Sequence, residues 1–268
     1  MVEKYDEEEI FKISGVPQTP YGFLKRLNFI YSVFNENLVE ERKYTVLDVG
    51  CGTGEYLTIP LGYLMNELNI LGIDTDIKSI KYAKNKNTNP NVKFQCSTIE
   101  KLDKNSKFDF IILSEVLEHL NEPYIMLEHI RSLLNSEGIC IITIPNGFGP
   151  FEIGNKIFKF LEKKNIIGYL KKLNEFRRVN KYPEESSLGK DSLCEDPHIQ
   201  FFTYTKFENL CSECGLTIEY SNNRTFLAGF FSDIIINKHE KLININARIA
   251  DYLPRAASSG WMFAVKKS

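Results

Sequence analysis

The chain has 268 residues, enough for one domain with embellishments. Its 33 lysines and arginines nearly balance 35 aspartates and glutamates, leaving a net charge of -2, so no global basic field points to nucleic acid. Hydrophobic content of 43% and charged content of 25% are ordinary for a globular domain, and no apolar run is long enough to span a bilayer.

The segment 1–43 precedes the first strand and is expected to form an N-terminal helical cap. It begins with an acidic run, Met1-Val-Glu-Lys-Tyr-Asp, without the basic and apolar regions of a signal peptide. A cytoplasmic location is therefore expected. After Pro17, Pro20 and Gly22, apolar residues recur at helical spacing from Phe23 to Leu38, which predicts an amphipathic helix over about 21–42. Strand 1 is expected at 44–49, a helix at 54–68 with Pro60 in its first turns, and strand 2 at 69–73. Asp76 is a candidate N-cap for a helix through Lys84. Strand 3 falls at 92–96 and strand 4 at 108–113. Asn121 is expected to cap a helix through Leu134, with Asn135-Ser-Glu-Gly138 as its stop signal. Strand 5, at 139–144, is a continuous apolar run suited to a sheet covered on both faces.

Residues 147–200 break this alternation and read as a helical lid insertion, with an aromatic loop, lysine-rich segments and a polar stretch. A helix at 203–214, a strand at 216–221, a helical stretch at about 230–251 and a last strand at 260–266 complete the chain. The apolar residues of 226–236 read as core or as the surface of a homodimer. The six cysteines are scattered, and Cys211-Ser-Glu-Cys214 reads as two cysteines on a helix, not half a zinc knuckle. Alternating strands and helices imply an α/β domain over 44–268 with a mostly parallel sheet. Ligands of such sheets bind at the carboxyl ends of the strands.

The most informative stretch is Val46-Leu-Asp-Val-Gly-Cys-Gly-Thr-Gly54. An apolar strand runs into three glycines, which let backbone approach a ligand where any Cβ would clash. The next apolar run ends in Asp74, placed where a doubly wound sheet holds ribose hydroxyls. The glycine spacing is not the one that seats a pyrophosphate. The ligand is thus expected to carry a ribose and need carry no phosphate.

These two motifs resemble those of the class I S-adenosylmethionine (SAM)-dependent methyltransferases. The resemblance implies a Rossmann-like, seven-stranded, mostly parallel sheet with an antiparallel last strand and helices on both faces. It implies SAM as cofactor and S-adenosylhomocysteine (SAH) as product. Asp48, Gly50, Cys51, Gly52 and Gly54 would approach the methionyl part, Asp74 the ribose, and Thr75 the adenine edge. Ser97-Thr-Ile-Glu100 resembles the ubiquinone-biosynthesis O-methyltransferase subgroup, which places Thr98 and Ile99 at the adenine and Ser114 near the methionine.

Methyl transfer to oxygen needs a base, or a metal that lowers the pKa of the hydroxyl. Strand 4 runs into Ser114-Glu-Val-Leu-Glu-His-Leu120, where a helix would set Glu115, Glu118 and His119 on one face. His198 stands in Asp196-Pro-His-Ile-Gln-Phe-Phe-Thr203, just before a helix. Glu115, Glu118, His119 and His198 form a reasonable ligand set for Mg²⁺ or another divalent metal. His119, His198 and Glu118 are equally candidates for metal-free proton transfer. The Glu-x-x-Glu-His pattern with a distant His resembles both ubiquinone-type O-methyltransferases and small-RNA 2′-O-methyltransferases. The leading expectation is O-methylation of a small-molecule or saccharide-like acceptor. An RNA ribose methyltransferase using a basic groove between Lys156 and Arg178, and a SAM-binding protein without catalysis, are the alternatives.

Overall fold

A computed structural model of the chain describes residues 23–39, 42–150, 198–226 and 240–268. Most of the segment expected as a lid, the lysine-rich stretch within it and most of the apolar segment 226–236 lie outside the described residues.

The strands are β1 (Tyr44–Val49), β2 (Leu68–Asp74), β3 (Val92–Cys96), β4 (Phe108–Ser114), β5 (Leu134–Pro145), β6 (Leu216–Asn223) and β7 (Gly260–Lys267). They form one seven-stranded sheet in the order β3-β2-β1-β4-β5-β7-β6. β1 to β5 pair in parallel, whereas β7 runs antiparallel between β5 and β6. The carboxyl ends of β1, β2, β4, β5 and β6 therefore share one edge.

Both faces of the sheet are covered, because successive strand residues point to opposite sides. Along β4, Phe110 and Ile112 enter one core and Ile111 and Leu113 the other. The first core is closed by α1 (Phe23–Asn37), α2 (Thr58–Leu64) and α3 (Ile77–Lys86). The second is closed by α4 (Pro123–Leu133) and α5 (Tyr204–Glu213). A last helix, α6 (Glu240–Tyr252), precedes β7. Among the described residues, no helix is long and apolar enough to cross a membrane.

Local chemistry sets the element ends, and here the structure departs from several expectations. α1 stops at Asn37, whose side-chain amide donates to the Val33 carbonyl. α2 begins at Thr58, with Pro60 in the first turn, where its missing N–H goes unused. Asp76 caps α3 as expected, accepting from the backbone N–H groups of Lys78 and Ser79. Asn121 does not cap α4: the cap position falls on Glu122 because Pro123 opens the helix. The supposed stop signal 135–138 belongs instead to β5, which starts at Leu134 and slips its register against β4 before Ile139.

α1 buries one face against the sheet. Leu27, Ile30, Val33 and Phe34 are buried, and the Phe34 ring meets Phe110 edge-on with centroids 4.5 Å apart. Phe34→Ala is expected to cost about 3–5 kcal/mol in urea unfolding. A loss below about 1 kcal/mol would mean that α1 is dispensable to the sheet beneath it.

Candidate active site

The turn after β1 is built on positive backbone angles: φ is 73° at Gly50, 53° at Gly52 and 71° at Gly54. Side chains rarely adopt this region. The surroundings also exclude them, since a Cβ on Gly54 would lie 2.5 Å from the Phe94 ring and one on Gly50 2.6 Å from Val116. The turn is tied down from β2. Gly50 and Cys51 donate their N–H groups to the Ile73 carbonyl at 2.9 and 3.0 Å. Gly52 donates to Asp74 Oδ2 at 2.8 Å, while Asp76 N–H donates to Asp74 Oδ1 at 2.8 Å. Each oxygen of Asp74 retains a second acceptor position, so the ribose role expected for this acid is chemically open.

The other expected cofactor residues lie along the same edge. Asp48 is buried and accepts from the Thr58 hydroxyl at 2.6 Å. Ser97 N–H donates to the Asp74 carbonyl at 3.0 Å, joining the ends of β3 and β2. Thr98 then leads into a short 3₁₀ turn, Ile99–Lys101, with Ile99 buried and Thr75 exposed. The Ser114 hydroxyl lies 3.1 Å from the Thr143 hydroxyl, which donates to Glu115 Oε1 at 2.7 Å. Ser114 is therefore the donor in its own bond. A turn bare at Gly50, Gly52 and Gly54, an acid with spare acceptor positions and an apolar neighbour in Ile99 together fit SAM.

Beyond Ser114 the helical expectation fails. Glu115 is the only non-glycine residue among those described with a positive φ, 57°, and the chain then makes a 3₁₀ turn, Leu117–His119. Glu115 is thereby separated from Glu118 and His119 and is not part of the grouped ligands. Its carboxylate is held by Thr143 and by the Arg224 guanidinium.

Glu118 and His119 instead meet His198. One ligand atom from each of the three lies within 4.8 Å of the others. The imidazole rings stand edge-to-face with centroids 5.2 Å apart, and Glu118 Oε1 is 4.0 Å from His119 Nε2. Backbone bonds make this meeting. Ile199 and Gln200 donate their N–H groups to the Glu118 carbonyl at 2.8 and 2.9 Å, and the Gln200 amide reaches the Leu120 and Asn121 carbonyls. The loop 146–149 packs beside this segment: Gly147 N–H donates to the Phe202 carbonyl, and a Cβ at Gly147 would lie 2.6 Å from the Phe201 backbone.

The two carboxyls are driven apart. Burial and the nearby Glu115 charge push Glu118 well above the usual carboxylate range. Burial also opposes ionisation of Glu115, but Arg224, Arg26 and the Thr143 hydroxyl outweigh it and hold that carboxyl below its ordinary value. Glu118 is 1% exposed, and its Oε2 has no hydrogen-bond partner among the described residues. Such an atom is an open position for a proton, a cation or a substrate hydroxyl. Arg26 and Arg224 escaped the reading of the sequence. The signal for Arg224 was available, since a charged residue just past the end of a strand falls on the ligand edge of such a sheet.

This sheet order, with its antiparallel seventh strand and glycine turn, defines a Rossmann-like class I methyltransferase fold. Residues 40–193 match a family model described as a methyltransferase domain, more than half of the chain, and the chain belongs to that family. The chain is 31% identical over 145 residues to a ubiquinone biosynthesis O-methyltransferase of Coxiella burnetii, covering 51% of this chain and 61% of that relative. It is 26% identical over 207 residues to a malonyl-acyl-carrier-protein O-methyltransferase of Bacillus anthracis, covering 76% and 77% of the two chains. Its fold is similar to magnesium protoporphyrin IX methyltransferase from Synechocystis PCC 6803 with bound SAH, at TM-score 0.55 and 17% identity over 97% of this chain and 93% of that one. The chain is thus a methyltransferase domain by family, and it spans less than two thirds of the length of the ubiquinone biosynthesis O-methyltransferase it matches.

Asp74→Asn would turn an amide NH₂ toward one of the two backbone N–H groups that the carboxylate now accepts. Calorimetry should show SAH binding weakened by about 10- to 100-fold, in line with a loss of ~1–3 kcal/mol for a buried donor left unsatisfied. Unchanged affinity would refute the assignment of Asp74 as the tie that shapes the turn.

Proposed function

We propose that the protein transfers a methyl group from SAM to a hydroxyl oxygen of a small-molecule or saccharide-like acceptor, in the cytoplasm. The observation that carries this reading is the grouping of Glu118, His119 and His198 just beyond the end of β4, on the edge that holds the glycine turn. A hydroxyl is a poor nucleophile until its proton is removed, and this cluster gathers proton-accepting groups beside the expected methyl position.

Asp48, the turn 50–54, Asp74, Thr75, Thr98, Ile99 and Ser114 would hold the cofactor, with Cys51 contributing through its backbone. Bound SAM supplies a methyl group on an electrophilic sulfonium. The chain's own part is to set the acceptor oxygen in line with that methyl, which is where much of the rate comes from. His119 or His198 would take the hydroxyl proton, with the second imidazole and Glu118 shaping the hydrogen bonds around it. Glu118, His119 and His198 also fit a divalent cation such as Mg²⁺, which would lower the pKa of an acceptor hydroxyl. Glu115, engaged with Arg224 and Thr143, positions the arginines and takes no part in holding a cation.

The test is transfer of labelled methyl from SAM into a fractionated extract that separates small molecules, glycans, lipids and RNA. Label is expected among small molecules or glycans, abolished by EDTA and restored by Mg²⁺. EDTA-insensitive label would remove the cation and leave the histidines as the base; label confined to RNA would overturn the acceptor class. Glu118→Gln, His119→Ala and His198→Ala should each lower transfer by about 10²–10⁴-fold with SAH affinity unchanged. Glu118→Gln should not lower the melting temperature, because it replaces a buried acid by a neutral isostere. Normal transfer by all three variants would refute the cluster.

A further inference from the structure

A cleft of about 510 Å³ opens between α1, the end of β6 and the chain that joins α6 to β7. Its size falls among small-ligand sites, but its lining is polar. α1 contributes Lys25 and Asn28, β6 contributes Asn222 and Asn223, and Asp251 and Arg255 close the far side. Phe29 and Met262, both buried in the core, lie beneath the cleft. Lys25 donates to Asp251 at 2.5 Å, so one wall presents a fixed ammonium beside a carboxylate.

We infer that this cleft is a distal acceptor subsite that binds a hydroxyl-bearing sugar ring, and that the acceptor therefore extends well beyond the hydroxyl that is methylated. The inference rests on the methyl-transfer centre proposed above. Chemistry selects the ligand class. The Asn28 and Asn222 amides offer donors and acceptors together, as vicinal hydroxyls do. An apolar ligand would strip water from these groups without replacing its hydrogen bonds. A strongly anionic ligand would meet the Asp251 carboxylate.

Position ties the cleft to the centre. Lys25 lines the cleft, and its neighbour Arg26 acts on Glu115 and Glu118. Asn223 lines the cleft, and the next residue, Arg224, holds Glu115. Adjacent residues on α1 and at the end of β6 thus serve the cleft on one side and the Glu115 carboxylate on the other. β6 stands three strands from β4 in the sheet, which at about 4.8 Å per spacing sets the subsite on the order of 14 Å from the centre. A single ring cannot occupy both; an oligosaccharide can.

The test is calorimetry and amide NMR on the full chain loaded with SAH, titrated with maltotriose, cellotriose and chitotriose. At least one trisaccharide is expected to bind in the millimolar range, with its monosaccharide about tenfold weaker. Asn28→Leu on α1 and Asn222→Leu on β6 should each weaken that binding by at least about tenfold, with SAH affinity unchanged. No binding by any of the three, or binding that survives both substitutions, would overturn the inference. Failure of the methyl-transfer centre reads differently: His119→Ala would then transfer methyl at the normal rate while trisaccharide binding kept its dependence on Asn28 and Asn222.

Discussion

The ligand edge of this sheet depends on one carboxylate. Asp74 accepts the Gly52 N–H with one oxygen and the Asp76 N–H with the other. A buried backbone N–H left without an acceptor costs as much as a lost hydrogen bond, so this single side chain fixes both the turn after β1 and the start of α3. What the turn fixes in its own right reaches further. Gly50 is bare where Val116 packs, and a Cβ there would sit 2.6 Å from a Val116 methyl. Val116 leads directly into the 3₁₀ turn that carries Glu118 and His119. The cofactor turn and the acid–imidazole cluster are therefore held in register by the β1–β4 pairing and by the close approach of Val116 to Gly50.

Within the cluster, environment divides labour between two similar acids. Glu115 faces two guanidinium groups and a hydroxyl, and stays charged. Glu118 is buried, meets the Glu115 charge and is driven toward its neutral form. Pairs of carboxyls pushed apart in this way are a recurrent signature of acid–base sites. Proximity in sequence would have made the two acids partners. The left-handed backbone at Glu115 separates them, and His198 arrives from about eighty residues downstream through hydrogen bonds to the Glu118 carbonyl.

Strands were the most legible part of the chain, because burial on both faces writes them as continuous apolar runs such as Ile139–Ile144. The glycine turn was equally plain, since side chains rarely adopt its angles. Asp76 as a cap could be read for a chemical reason, and Asn121 failed for another: Pro123 already supplies the fixed φ and absent N–H that suit a helix start. The helical reading of 114–120 failed because periodicity cannot register one residue with a positive φ. Arg26 and Arg224 were invisible for a different reason. Their importance comes from which strand ends and helix faces lie together, and that is decided by strand order.

The position of β7 has a consequence for how the protein is made. β7 lies between β5 and β6, and β6 pairs with it alone among the described strands. A chain that emerges amino end first exposes β5 and β6 before the strand that joins them exists. Until residues 260–267 are available, the edge of β5 offers a row of unpaired backbone groups over an almost wholly buried apolar run, which is the template other chains most readily pair with. The far half of the ligand edge, including Arg224, comes into place only when β7 has filled that gap. A nascent chain paused short of β7 would thus hold a formed cofactor turn beside an open, association-prone sheet edge.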